Sequence, residues 1–202
     1  MTPAALPPPG LHGGDGPLLA RALGLTAAMA QPHLGSLRHS PDPTAATELL
    51  ADAIGHPPEL TLLTNGGSEA IALLARHLRA GAIVEPEFSL SRRHLTEVER
   101  SAGRWVSNPN NPLGHLLPES DQSPLVYDEA FYPLVTGSWT RGDARRGGYV
   151  VGSLTKLFSC PGLRLGYLLT PDESSHVELA AAQPRWAVSS LAPVSYTHLT
   201  LP

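Results

Sequence analysis

Tyr149-Val150-Val151-Gly152-Ser153-Leu154-Thr155-Lys156, followed eight residues after the lysine by Arg164 within Pro161-Gly162-Leu163-Arg164-Leu165-Gly166-Tyr167, is the stretch that decides how this chain folds. Its first five residues form an apolar run of strand length that ends on a hydroxyl and a lysine. A second such run, Arg164 to Leu169, follows a Pro-Gly turn. The lysine stands out by count: thirteen of the fourteen basic residues are arginines, so Lys156 is the single lysine. Arginine supplies charge and hydrogen bonds almost anywhere, but it keeps its proton near neutral pH and cannot attack a carbonyl. A lysine amine can. Two hydroxyls, a lysine and an arginine on consecutive loops are what an aldehyde-bearing phosphate ester requires.

Working outward, further apolar runs of strand length lie at Leu60 to Thr64, Ala82 to Glu85, Trp105 to Ser107 and Leu125 to Asp128. Helical spacing appears between several of them. Asp42-Pro43 offers a cap and a first-turn proline for a helix over Thr44 to Ile54. Ser68 to Ala80 puts Ile71, Leu74 and Leu78 on one face, with Gly81 as its stop signal. Strand and helix in alternation predict an α/β domain, a three-layer α/β/α sandwich around a mostly parallel sheet, in which ligand groups gather at the carboxyl ends of the strands. Residues 1–40, rich in Pro and Gly with one short helical pattern at Leu18 to Leu25, read as an arm.

Four loops at strand ends carry the chemistry. Thr64-Asn65-Gly66-Gly67-Ser68-Glu69 joins a strand to a helix, where glycines allow close backbone approach and the helix start offers free N–H groups to an anion. It is neither a dinucleotide fingerprint nor a Walker sequence. Glu85-Pro86-Glu87-Phe88-Ser89 presents Phe88, which either stacks on a planar ring or fills the core. Ser107-Asn108-Pro109-Asn110-Asn111-Pro112-Leu113-Gly114 contains two Asn-Pro pairs in five residues, which fix an extended, turn-rich loop and aim amide side chains outward. Val126-Tyr127-Asp128-Glu129-Ala130 ends a strand on an acid that serves as a ligand group or a helix cap.

Composition narrows the classes. A net charge of -4 and 16% charged residues leave no basic field for nucleic acid or anionic lipid, and no apolar run approaches the length that spans a bilayer. The expected location is the cytoplasm. One cysteine, Cys160, excludes an internal disulfide framework and reads as a bystander. The nine histidines never pair at a ligand spacing such as H-x-x-x-H, so a metal hydrolase fits poorly and no metal is expected.

Taken in order, these motifs resemble the fold-type I enzymes that use pyridoxal 5'-phosphate (PLP), in the branch that holds the histidinol-phosphate aminotransferases and the threonine-phosphate decarboxylases. The resemblance covers roughly residues 12–192. It implies that Lys156 forms the Schiff base with the cofactor, and that Ser68, Ser153 and Arg164 hold the phosphate with the backbone N–H groups of Gly67 and Ser68. It also implies that Phe88 stacks on the pyridine ring, that Asn111 hydrogen-bonds the phenolic oxygen, and that Asp128 pairs with the ring nitrogen. Lys156 and Asp128 are then the catalytic pair.

Within the branch, Ser153-Leu154-Thr155-Lys156 with the Arg164 segment is most similar to the threonine-phosphate decarboxylases of cobalamin side-chain assembly. Leu11-His12-Gly13-Gly14-Asp15, Gln183 to Ser189, and Phe131, where aminotransferases usually carry tyrosine, point the same way. The implied substrate is a small phosphorylated amino acid, the implied assembly a homodimer. Amino transfer of the histidinol-phosphate kind and an inactive, truncated PLP-binding fragment stay open beside decarboxylation. Three departures stand out. Ser40 occupies a position usually held by tyrosine, and the link from Asn111 to Asp128 is short. The chain also stops where a small C-terminal domain is expected, with Ser195 to Pro202 similar to translated adapter sequence. The expected organisation is therefore an arm at 1–40, a cofactor-binding domain at 41–193 and a non-native tail at 194–202.

Overall fold

The computed structural model describes residues 31–199. The helical pattern at Leu18 to Leu25 lies outside them. After a 3-10 helix at Gln31–Arg38, helix α1 spans Thr44–Ile54. Pro43, expected in its first turn, is instead the N-cap residue and gives no side-chain cap, while Asp42 just before it accepts the Thr44 N–H at 3.0 Å and the Thr44 hydroxyl at 2.7 Å. Gly55 closes it in the left-handed region, at φ 72°.

Strand β1 (Thr61–Asn65) runs into helix α2 (Gly66–Leu78). The helix begins two residues before the expected Ser68, because Gly66, at φ 74°, lets the chain turn directly off the strand. It also stops before Ala80, and the stop is not Gly81. Arg79 turns out of the helix at φ 61°, and its carbonyl accepts the N–H groups of Thr96 and Glu97 at 2.9 and 3.1 Å. Gly81 is needed for packing: a Cβ there would lie 2.6 Å from Trp105 Nε1. The strand expected at Ala82 to Glu85 does not form. The ribbon strand β2 is Ala80–Gly81, paired with β3 (Glu97–Val98), and Ala82 makes one parallel bridge to Arg104 before the chain turns away. Helix α3 (Ser89–His94) sits between β2 and β3.

The main sheet contains β4 (Arg104–Ser107), β5 (Pro124–Asp128), β6 (Tyr149–Ser153) and β7 (Leu165–Leu169), in the order β1-β7-β6-β5-β4. Pairings β4–β5 and β5–β6 are parallel, whereas β7 runs antiparallel to both β6 and β1. Four strands thus point one way and one is reversed, so the sheet is mixed where a mostly parallel one was expected. Between Ser107 and Pro124 there is neither helix nor strand. The rest of the chain adds the short helices α4 (Tyr132–Thr136) and α5 (Leu154–Leu157), then α6 (Glu173–Ala182) and α7 (Leu191–Leu199).

Strand alternation divides the core into two layers. Tyr127, Val150, Leu165, Tyr167 and Leu169 face one side and pack with Ala46, Leu50 and Ile54 of α1. Val126, Tyr149, Val151 and Leu168 face the other, against Ile71, Leu74 and Ala75 of α2 and Leu179 of α6. Helices cover both faces, which accounts for the apolar runs in β6 and β7: every residue of these strands is buried. Among the described residues, no helix is long and apolar enough to cross a membrane.

Candidate active site

The shared direction of β1, β4, β5 and β6 brings Asn65, Ser107, Asp128 and Ser153 to one edge of the sheet. The register links them: Ser107 lies opposite Asp128, and Ser153 lies opposite Gly166 on β7. Because β7 is reversed, the residue just before it, Arg164, arrives at this same edge instead of the far one. A fully parallel sheet would have put it on the wrong side.

At this edge is a cavity of about 200 Å³. Gly67, Ser68, Phe88, Asn111, Asp128, Ser153, Lys156 and Arg164, the eight residues singled out from the sequence, all line it. Ser107, Thr155 and Phe131 line it as well. Sequence reading had counted the Thr155 hydroxyl with that of Ser153 beside the lysine and used Phe131 only to separate the branches; Ser107 had nothing but its place at a strand end to mark it. Ser40 is exposed and is not part of the wall.

One end of the cavity is built for an anion. Gly66, Gly67 and Ser68 open α2, so their N–H groups have no partner within the helix. Asn65 N–H is taken by Glu69 Oε2 at 2.8 Å, which holds the turn, and Gln183 steadies that carboxylate at 3.1 Å. Arg164 lies across the turn. A Cβ on Gly66 would sit 2.5 Å from its Nη2, and a Cβ on Gly166 would sit 2.5 Å from Gly67 N. The Ser153 and Thr155 hydroxyls are 2.8 Å apart.

The other end carries the acid and the amine. Asp128 Oδ1 accepts the Ala130 N–H at 3.0 Å. Burial pushes this carboxyl up to about 6 and the Glu87 charge adds to the rise, while the Ala130 N–H and the Lys156 charge oppose it. Lys156 is exposed, and its Nζ sits 5.3 Å from the centre of the Phe131 ring. Next to Asp128 but on the other side of the strand, Glu129 is fully buried and is pushed up to about 7, chiefly by desolvation. It accepts the Thr140 hydroxyl at 2.6 Å and the Arg141 N–H at 3.2 Å. Cys160 is half-buried, and burial pushes its thiol up to about 11, so it stays protonated at neutral pH. No cluster of three or more His, Cys, Asp or Glu side chains gathers among the described residues.

This donor set fits PLP by its chemistry: helix N–H groups, hydroxyls and a guanidinium for a phosphate, an aromatic ring and an amide for the pyridine, a buried acid for its nitrogen and one amine for its aldehyde. The family model for aminotransferases of class I and II matches residues 85–199. The threonine-phosphate decarboxylase of Salmonella typhimurium is 30% identical over 179 residues, covering 67% of this chain and 49% of that protein. The histidinol-phosphate aminotransferase of Thermococcus gammatolerans is 26% identical over 176 residues, covering 70% and 50%. The chain therefore spans about half the length of these curated relatives. In fold, it is similar to the crystal structure of L-threonine-O-3-phosphate decarboxylase from Porphyromonas gingivalis, with a TM-score of 0.75 at 23% identity over 90% of this chain and 67% of that one.

Proposed function

Because the chain belongs to the aminotransferase class I and II family, whose cofactor is PLP, we propose that it forms the cofactor-binding part of an enzyme acting on a small phosphorylated amino acid, most like a threonine-phosphate decarboxylase. One observation carries this reading: the single lysine, the strand-end acid and the α2 turn, from three separate stretches of sequence, share one cavity wall. The same reading takes residues 41–193 as the cofactor-binding domain and the intact enzyme as a homodimer.

Bound here, PLP supplies an electrophilic aldehyde and a ring that draws electrons from the substrate Cα. Arg164, Ser68, Ser153 and the N–H groups of Gly67 and Ser68 bind its phosphate, and Phe88 packs on the ring. Asn111 donates a hydrogen bond to the phenolic oxygen. Asp128, ionised, holds a proton at the ring nitrogen. Lys156 would supply the amine that meets the aldehyde, and the same amine would hold and move a proton at the substrate Cα. Which bond at Cα breaks depends on which one the pocket holds perpendicular to the ring. Phe131, where aminotransferases usually carry tyrosine, supports loss of the carboxylate. Amino transfer is the alternative.

The cofactor assignment is tested by incubating the chain with PLP, removing free ligand and reading the visible absorbance. Wild type is expected to keep a visible band and Lys156→Ala to lose it while remaining folded; a band unchanged in the variant refutes the assignment. A full-length version supplied with O-phosphothreonine, and separately with histidinol phosphate and a keto acid, decides the reaction. Carbon dioxide release without a keto-acid requirement means decarboxylation, and keto-acid dependence means amino transfer.

A further inference from the structure

Glu87 does not line the cavity, yet hydrogen bonds from two of its walls converge on this one carboxylate. Oε2 accepts the Ser107 N–H at 3.0 Å and Asn110 Nδ2 at 3.4 Å. Oε1 accepts the Ser107 hydroxyl and, at 2.7 Å, the Phe88 N–H. Ser107 Oγ in turn accepts the Asn111 N–H at 2.7 Å. A hydroxyl has one hydrogen, so donating it to Glu87 turns its lone pairs toward Asn111 and fixes the direction of the relay. Asn110 Nδ2 adds a second tie, to the Pro86 carbonyl at 3.1 Å.

Four donors meet here and only an ionised carboxylate satisfies them all. A glutamine has one acceptor oxygen, and its NH₂ group would face other donors. The two segments joined are about twenty residues apart in sequence, one carrying Phe88 and the other Asn111.

We propose that Glu87 is a positioning residue of the cofactor site, tying the backbone of Phe88 to that of Asn111 and so setting the gap between the ring-stacking side chain and the amide that meets the ring oxygen. The assignment rests on the PLP reading of the cavity. Glu87 acts also through charge. It opposes ionisation of Asp128, which Lys156 favours from α5, and Arg164 lines the same cavity. Around Glu87 itself, Glu85 Oε2 accepts its N–H at 2.9 Å, and Arg104 and His115 share its outer hollow.

The test uses the full 202-residue chain with two readouts. The first is hydrogen exchange without PLP. Glu87→Gln is expected to speed exchange at Phe88, Ser107 and Asn111 by about tenfold or more, leaving α2 as in wild type. Unchanged exchange at those three amides overturns the proposal. If Glu87→Gln loosens the whole chain, Ser107→Ala decides: it breaks only the relay, so Asn111 must exchange faster while Phe88 does not, and an unchanged Asn111 overturns the proposal.

The second readout is PLP affinity against pH. Glu87→Gln is expected to weaken binding about tenfold at pH 8 and to move the low-pH midpoint of binding downward, because Asp128 loses a negative neighbour. A structural role alone would leave the midpoint in place, and that result overturns the electrostatic part. So does an equal shift in His115→Gln. If wild type takes up no PLP the cofactor reading fails, while hydrogen exchange still decides whether Glu87 ties the two segments.

Discussion

Lys156 Nζ lies 5.3 Å above the ring of Phe131, so the amine of the single lysine is held against the cavity wall by an aromatic face three residues beyond Asp128. Lys156 is otherwise exposed, and a flexible four-carbon stem would sample solvent without that contact. A cation over an aromatic ring at an exposed site is worth about 0.5–1 kcal/mol. Phe131→Leu keeps the apolar bulk and loses the ring face, so PLP retention is expected to fall about two- to fivefold. Equilibrium dialysis against PLP, followed by visible absorbance, measures it; equal retention would remove Phe131 from the site.

Asp128 sets a pH dependence whose sign is fixed. Its carboxyl, raised to about 6 in the chain without cofactor, favours the fold when protonated. That contribution is fully present below the ordinary carboxylate range and is lost as pH rises through 6. Water reaching the cavity limits it to the order of 1–2 kcal/mol. Asp128→Asn should therefore flatten the fall in thermal midpoint between pH 4 and 7 in the cofactor-free chain. On the proposed reading the ionised form strengthens PLP binding without being required for it, so wild-type affinity should rise across the same window. With PLP bound, Asp128→Asn is expected to keep cofactor but to lower turnover of the full-length enzyme at least a hundredfold. A near-normal rate would end its assignment as partner of the ring nitrogen.

Gly152 and Gly66 test the geometry without any ligand. A Cβ on Gly152 would fall 1.9 Å from Tyr167 Cζ, inside a packed core, so Gly152→Ala is expected to destabilise the fold by about 1–3 kcal/mol. Gly66→Ala meets both a positive φ and the Arg164 guanidinium. It should cost about 1 kcal/mol in stability and displace Arg164, lowering PLP affinity as well. Urea denaturation and PLP titration separate the two: Gly152→Ala loses mainly stability, Gly66→Ala loses both.

Glu129 is buried with two donors on its carboxylate, Thr140 Oγ1 and Arg141 N, and these hold the link between β5 and β6. Removing the acceptor leaves both donors without it, so Glu129→Ala is expected to destabilise by about 2–4 kcal/mol and Glu129→Gln by less, since one acceptor oxygen remains. Because burial raises the Glu129 carboxyl to about 7, Glu129→Gln should lose least at pH 8, where the native acid is ionised at some expense, and most near pH 5. Chemical denaturation at the two pH values checks the order.

The sequence by itself determined the parts. Apolar runs of strand length placed β1, β4, β5, β6 and β7 within a residue or so, and helical spacing placed α1 at its observed bounds, because these signals are local and each is written in neighbouring side chains. The eight residues singled out for the cavity were legible through the ordered motifs that resemble the PLP enzymes, and Ser153 and Asp128 also through their place at strand ends. Ala82 to Glu85 misled, since an apolar run there satisfies strand periodicity while the partners that would pair it are set elsewhere in the chain.

Only the tertiary structure decided direction and convergence. Nothing near β7 states that it runs against its neighbours, yet that reversal delivers Arg164 to the edge where Asp128 and Lys156 stand. Glu87 was equally hidden. Its importance lies in donors about twenty residues away, and a hydrogen bond between distant segments leaves no periodic trace in either one. Local physics wrote the elements, and long-range packing chose which of their ends would meet.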